Sequence, residues 1–222
     1  MKRILVVSDI HGAVGRVERL ERVKRHVTIA AGDLAECGSR EEALEVLDRL
    51  EAQGAPTVWV PGNCDDPSLA ALDKAVNVHG RRVVLDGLVY AGAGGSLHTP
   101  FGTPFEYGED KLASILGGAL RGYQAEEGPL VLVVHTPPYR SGLDRVSGGS
   151  YVGSRRLREI VATARPLLLA TGHIHEAWGV AAVGPAVAVN PGPLAAGRYA
   201  LVDVDVGHGG EPSVARVRTM KL

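Results

Sequence analysis

Short apolar runs alternate with amphipathic segments through the first half of the chain. Residues 2–8, 27–31 and 57–60 are almost continuously apolar, which is typical of strands buried on both faces of a sheet. Residues 14–24 and 40–52, between these runs, carry apolar positions at helical spacing. Strands separated by helices of this length need crossover connections and pair in parallel, so the pattern predicts the α/β fold class.

The second half of the chain has more closely spaced β segments. Two long loops, 94–108 and 136–153, interrupt it, and the first concentrates aromatic residues that could cover a site. We expect two sheets, one from each half, packed on each other within a single domain of residues 1–222. The pattern predicts helices at 67–76, 109–122 and 154–164, strands at 82–85, 88–93, 130–134 and 167–171, and only β structure over 178–220.

Composition narrows the range of partners. The formal net charge is -1 with both signs interspersed, so the chain lacks the basic excess of a protein that binds long nucleic acid. Two cysteines, Cys37 and Cys64, are too few for a disulfide framework and favour a reducing, cytoplasmic location. The first apolar run ends at Ser8, well short of a membrane span, so we expect no membrane association. Homo-oligomer formation stays open.

Polar side chains follow five of the predicted strands at the points where those strands end. In an open α/β sheet the carboxyl ends of the strands meet at one edge, where ligands bind, so we expect these side chains to converge. They are Asp9, His11, Asp33, Asn63, His135, His173 and His175.

The residue types at this edge favour a metal centre. Asp and Asn oxygens with imidazoles and no thiolate form a mixed ligand set that suits Mn²⁺, with iron, nickel, cobalt and zinc as alternatives. So many ligands exceed one site that keeps a position open for water, which favours two divalent ions sharing a carboxylate. Each short motif alone is more typical of a polar loop or turn than of a metal site, and it is their joint occurrence at strand ends that carries the hypothesis.

The chain resembles the calcineurin-like metallophosphoesterases, whose motifs are Asp-x-His, Gly-Asp, Gly-Asn-His-Asp or Glu, a lone His, and Gly-His-x-His. A tail of the form Asn-Pro-Gly-Pro followed by a tyrosine is similar to the compact microbial branch of that family. The matching residues are Asp9-Ile10-His11, Gly32-Asp33, Gly62-Asn63-Cys64-Asp65, His135, Gly172-His173-Ile174-His175, Asn190-Pro191-Gly192-Pro193 and Tyr199.

The resemblance implies a four-layer α-β-β-α sandwich, in which two mixed β-sheets are flanked by helices. It implies two metal ions that share Asp33 as a bridging ligand. The first ion would be bound by Asp9, His11, Asp33 and His175, and the second by Asp33, Asn63, His135 and His173. We therefore expect dinuclear-metal-dependent hydrolysis of phosphate esters, with phosphodiesters of small molecules or nucleotides as substrates. The alternatives are a phosphomonoesterase and a non-catalytic protein-interaction module of the same fold.

One position departs from the family motif. Many members have a histidine after the asparagine, whereas this chain has Cys64, a poorer general acid near neutrality. The variant implies a preference for good leaving groups, although inert packing explains Cys64 equally well. Asn63 is expected to contact the phosphoryl group as well as a metal, and Asp65 to orient its neighbours.

Substrate contacts must come from the two loops over the strand ends. Tyr139, Arg140 and Arg145 follow His135 and could offer a stacking face and guanidinium groups to a phosphate ester. His98 lies in the other loop. Exposed loop residues are often only solvated, which is the alternative for all four positions.

Overall fold

Two six-stranded sheets with helices on their outer faces make up the fold of the computed structural model, which describes residues 1–36, 38–207 and 211–222. Cys37 and the 208–210 part of the predicted β region lie outside the described residues. None of the helices in the described ranges is long and apolar enough to cross a bilayer. The strands are β1 (Lys2–Val7), β2 (Val27–Ala31), β3 (Thr57–Val60), β4 (Val76–Asn77), β5 (Arg82–Leu85), β6 (Leu88–Ala93), β7 (Leu130–Val134), β8 (Leu168–Ala170), β9 (Gly179–Val183), β10 (Ala186–Asn190), β11 (Arg198–Asp205) and β12 (Ser213–Lys221); the helices are α1 (Val14–Glu18), α2 (Arg40–Glu51), α3 (Glu109–Ala119) and α4 (Arg155–Ala164).

Both sheets are mixed. The first has the order β12-β11-β1-β2-β3-β4, with β1 to β4 parallel. The second has the order β5-β6-β7-β8-β10-β9, with β6, β7, β8 and β10 parallel. The expected division of one sheet for each half of the chain is wrong for the last two strands. They return to the first sheet because β11 pairs antiparallel with β1, Ile4 lying opposite Val202.

Successive residues of the central strands face different layers. Ile4 and Val6 pack between the two sheets, whereas Leu5 and Val7 pack with residues of α1 and α2. Residues of α3 and α4 cover the outer face of the second sheet in the same way. Burial on both faces explains the continuous apolar runs. The resulting order of layers confirms the α-β-β-α sandwich.

Three predicted helices are shorter than expected: those at 14–24, 67–76 and 109–122 end at Glu18, Ala71 and Ala119. The segment after α1 continues in turns, and there the Arg25 guanidinium donates to the carbonyls of Leu20 and Val23 at 2.9 and 3.0 Å. The helix expected at 67–76 is a 3₁₀ helix over Pro67–Ala71. It stops because the Asn77 amide donates to the carbonyl oxygens behind it, those of Leu69, Ala70 and Leu72.

Candidate metal centre and cleft

All seven predicted ligands lie beyond the carboxyl ends of strands, at an edge that the two sheets share. Within the first sheet, the backbone N–H of Asp9 donates to Gly32 O at 3.0 Å. From the second sheet, the backbone N–H of His173 donates to Asp9 Oδ1 at 3.1 Å, so the ends of the two sheets are in contact. The seven predicted ligands follow these strands: Asp9 and His11 after β1, Asp33 after β2, Asn63 after β3, His135 after β7, and His173 and His175 after β8.

Asp9, His11 and His175 form one group whose ligand atoms all lie within 4.8 Å of one another. The Nε2 atoms of His11 and His175 are 3.4 Å apart, and His175 Nε2 is 3.4 Å from Asp9 Oδ1. Asp9 is fully buried, and its Oδ2 atom finds no hydrogen-bond partner in the part of the chain that the structure describes. A buried carboxylate oxygen without a partner is costly unless it faces a cation, so these residues fit a divalent ion.

Asp9, Asp33 and His135 form a second group with the same spacing. His135 Nε2 lies 3.5 Å from Asp33 Oδ1 and 2.9 Å from Asn63 Oδ1. His135 Nδ1 is 2.7 Å from the carbonyl oxygen of Ala31, which makes Nδ1 a donor and turns Nε2 toward the site.

A third group joins Asp33 to the side chains of His11 and Cys64. Asp9, His11 and Asp33 each belong to two of the three groups, so the groups form one continuous cluster. His173 belongs to none of the three among the described residues. Its ring centroid is 5.2 Å from that of His135.

The buried charges of the site shift one another's pKa. Burial opposes ionisation of Asp33, but the charges of His135 and His11, together with hydrogen bonds from His135 and the Cys64 backbone N–H, outweigh it and lower the pKa of Asp33. Burial likewise opposes a charge on His135, yet Asp33 raises the pKa of His135 to about 9. Burial, together with the charge of His135, lowers the pKa of His173 to about 4. In the ion-free protein a proton on His135 balances the carboxylates, and a cation would compete with that proton.

Backbone strain is concentrated at the predicted ligands. The backbone φ angles of Asp9, His11, Asp33 and His173 are 51°, 46°, 51° and 71°. Residues other than glycine seldom adopt this left-handed region. Such conformations cost about 1–3 kcal/mol each and persist where the surrounding structure enforces them. Their clustering here is typical of a functional site.

Asp65 joins the loop after β2 to the loop after β3. It is fully buried and accepts hydrogen bonds from the backbone N–H groups of Leu34, Ala35 and Gly62, at 3.1, 2.8 and 2.7 Å. Burial and the neighbouring charge of Asp33 raise the pKa of Asp65 to about 6, against the effect of these donors. These hydrogen bonds hold the two loops together.

Two residues of the 94–108 loop orient Asn63, and sequence reasoning missed both. Asn63 Nδ2 donates to Thr103 Oγ1 at 3.0 Å, and the Thr103 hydroxyl donates to the Glu106 carboxylate. Since a carboxylate only accepts, the Thr103 oxygen is left to accept from the amide nitrogen, and Asn63 Oδ1 faces His135. The only sequence signal was the unusual composition of this loop.

A cavity of about 670 Å³ opens above the ligands between the 94–108 and 136–153 loops. Seven of the predicted site residues line it: His11, Asp33, Asn63, Cys64, His98, His173 and His175. The residues that sequence reasoning did not select at this surface are Leu97, Thr99, Pro100, Phe101, Thr103, Thr136, Val146, Ser147, Gly148, Val152, Ile174 and Glu176.

Tyr139, Arg140 and Arg145 are not among the residues that line the cavity. The backbone N–H of Tyr139 donates to the carbonyl of Ser154, which places the Tyr139 ring 3.8 Å below the Arg155 guanidinium. Arg140 stacks over the same ring and over Tyr151. These contacts hold Tyr139 and Arg140 beside α4 instead of in the cleft.

A four-layer sandwich with carboxylates and imidazoles gathered below a cleft at its strand ends defines the class of metal-dependent phosphoesterases. The sequence profile described as calcineurin-like phosphoesterase matches residues 2–177. The chain belongs to that family, whose members hydrolyse phosphate esters with the help of metal ions.

Several other proteins align with this chain over most of its length. The uncharacterised protein MJ1162 of Methanocaldococcus jannaschii is 29% identical over 199 residues, which are 86% of this chain and 88% of that protein. The crystal structure of TT1561 of Thermus thermophilus matches with a TM-score of 0.75 and 21% identity, covering 99% of this chain and 98% of that chain. A putative 5'-nucleotidase from Staphylococcus aureus matches with a TM-score of 0.64 and 14% identity, covering 99% of this chain and 54% of that chain. The last two similarities concern the fold.

Proposed function

We propose that this protein hydrolyses phosphodiesters of small molecules or nucleotides with two divalent ions. The observation that carries the proposal is the pair of buried carboxylates, Asp9 and Asp33, which face imidazole nitrogens below an open cleft. We assign one ion to Asp9, His11, Asp33 and His175 and the other to Asp33, Asn63, His135 and His173. The mixed oxygen and imidazole donors support Mn²⁺ as the native ion, and the low cysteine content supports a cytoplasmic location.

The ions would neutralise charge on the phosphoryl oxygens and make a water molecule more acidic. The oxygen of that water forms a bond to phosphorus, and the bond from phosphorus to the leaving oxygen breaks. One water proton is finally carried by the leaving alcohol. Asn63 and Cys64 line the cleft beside the ligands, so they are placed to contact the phosphoryl group and the leaving oxygen.

The charge of the cleft supports a diester over a monoester. Within the described residues no lysine or arginine lines the cavity, whereas Glu176 adds a negative charge to its wall. A monoester dianion carries one more negative charge than a diester and would find no cationic side chain for it. Cys64, in place of the usual histidine, is a weak acid and supports substrates with good leaving groups.

The test compares two aryl phosphates that share one chromophoric leaving group. With Mn²⁺ present, bis(para-nitrophenyl) phosphate should be hydrolysed with a higher kcat/KM than para-nitrophenyl phosphate, and metal analysis should find two ions per chain. Asp33→Asn should reduce both turnover and bound metal, while Asp73→Asn, whose side chain is 97% exposed, should change neither. A higher kcat/KM for the monoester would refute the diesterase assignment. Undiminished turnover in Asp33→Asn would refute the two-metal site.

A further inference from the structure

We propose that the cleft selects phosphodiesters whose spectator group, the ester group that stays on phosphorus, is uncharged and apolar, with aromatic groups preferred. The inference rests on the proposed phosphodiesterase function and specifies the part of the substrate that does not leave. Three independent features of the cleft support it: its exposed apolar side chains, the bracing of its walls and its charge.

Large apolar side chains are exposed on both walls of the cleft. Phe101, on the 94–108 loop, is 84% exposed, and Val152, on the 136–153 loop, is 41% exposed. Both line the same cavity, together with Leu97 and Val146. Exposed apolar residues grouped inside a concave site next to reactive groups are typical of a ligand-binding surface.

The two walls are braced by carboxylates from within their own loops. Glu106 accepts hydrogen bonds from Thr99 Oγ1 at 2.6 Å and from the Thr103 backbone N–H at 2.8 Å. Asp144 is fully buried and accepts from the backbone N–H groups of Arg140 and Gly153 at 2.7 and 3.2 Å. Walls that are already ordered need little further ordering when a ligand binds, so their apolar surface is available for affinity.

The charge of the cleft excludes a second anionic group on the substrate. Glu176 lines the cavity, and its carboxylate accepts from the backbone N–H and the hydroxyl of Ser147 at 2.9 and 3.1 Å. The described lining offers no lysine or arginine to pair with an anion away from the metal ligands. A spectator group that carried a carboxylate or a second phosphate would therefore meet an unbalanced negative charge.

The experiment uses the full chain loaded with Mn²⁺ and two diesters, methyl para-nitrophenyl phosphate and phenyl para-nitrophenyl phosphate. The leaving group is the same, so the ratio of their kcat/KM values, divided by the ratio for hydroxide hydrolysis, reports on the spectator group. We expect the phenyl ester to be preferred by about tenfold or more. The double variant Phe101→Ala, Val152→Ala should lower this ratio to about threefold or less. The control Val180→Ala, which truncates a valine that is 48% exposed and lies outside the cleft, should keep the wild-type ratio.

A third ester with a meta-carboxyphenyl spectator group tests the charge. Its kcat/KM should be lower than that of the phenyl ester, and Glu176→Gln should bring the two kcat/KM values closer together. A ratio near one in the wild type, or a ratio that the double variant leaves unchanged, overturns the inference and leaves the proposed function standing. Absence of turnover with every diester, with metal bound, overturns the proposed function and the inference with it.

Discussion

Asn63 Nδ2 and Thr103 Oγ1 lie 3.0 Å apart, and this bond decides which end of the Asn63 amide faces His135. The Thr103 hydroxyl is committed to Glu106 as a donor, so its oxygen can only accept from the amide nitrogen. The loop that covers the cleft is thereby connected to the floor of the site. A residue 40 positions along the chain positions a proposed metal ligand.

Thr103→Val should weaken Mn²⁺ binding by about 10- to 100-fold, the usual cost of removing a partner that orients a metal ligand. Valine keeps the shape of threonine but neither accepts from Asn63 nor donates to Glu106. Thr103→Ser restores the hydroxyl and should restore the affinity. Titration of Mn²⁺ against both variants measures the effect. Equal affinities for Thr103→Val and the wild type would show that Asn63 needs no such partner.

Gly62→Ala should reduce diester turnover by about 100-fold, the typical effect of misplacing reactive groups by an ångström. An added Cβ at Gly62 would lie 2.0 Å from Asp33 Oδ1 and 2.1 Å from Asp33 N, so backbone and carboxylate would both have to move. The control is Gly118→Ala in α3, where no atom outside the adjacent residues and the helix's own backbone lies within 4 Å of the added methyl group. That change should leave activity intact and stabilise the fold by about 0.5–1 kcal/mol. Unimpaired turnover in Gly62→Ala would contradict the close approach of the two loops.

Strand ends were the most predictable feature of this protein. Strands buried on both faces are apolar throughout, so their boundaries are visible wherever polar residues follow, and β2, β3, β5, β6 and β7 have the predicted bounds. The meeting of Asp9 with Asp33 follows from that same local pattern, because parallel strands of one sheet deliver their carboxyl ends to one edge. His135 follows a strand of the second sheet and reaches the two carboxylates only because the two sheets pack on each other.

Features that depend on distant partners were not predictable. The return of β11 to the first sheet rests on its pairing with β1, far away in sequence. Residues Tyr139 and Arg140 follow a proposed ligand closely, but a hydrogen bond to Ser154 and stacking by Arg155 turn them away from the cleft. Proximity in sequence to a ligand therefore did not predict proximity to the cavity.

Asp65→Ala should destabilise the protein by about 3–5 kcal/mol, because it leaves three buried backbone N–H groups without their acceptor. The exposed Asp73→Ala should cost less than about 0.5 kcal/mol. Urea unfolding of both variants in the absence of metal measures the difference, provided that the m-value stays constant. A loss for Asp65→Ala as small as that for Asp73→Ala would show that the loops after β2 and β3 are held together without this carboxylate.

Metal binding should strengthen as pH rises from about 6 to about 8, by up to about tenfold for each pH unit and each proton displaced. Asp33 raises the pKa of His135 to about 9, so over this range the ion-free protein carries a proton on an imidazole that must bind the ion as a neutral ligand. Lowering the pH keeps that proton in place and weakens binding; raising the pH toward 9 removes the competition. Calorimetry of Mn²⁺ binding in buffers with different ionisation enthalpies should detect proton release near neutral pH. His135→Asn should release about one proton fewer, and an unchanged proton count in that variant would exclude His135 as the group that competes with the ion.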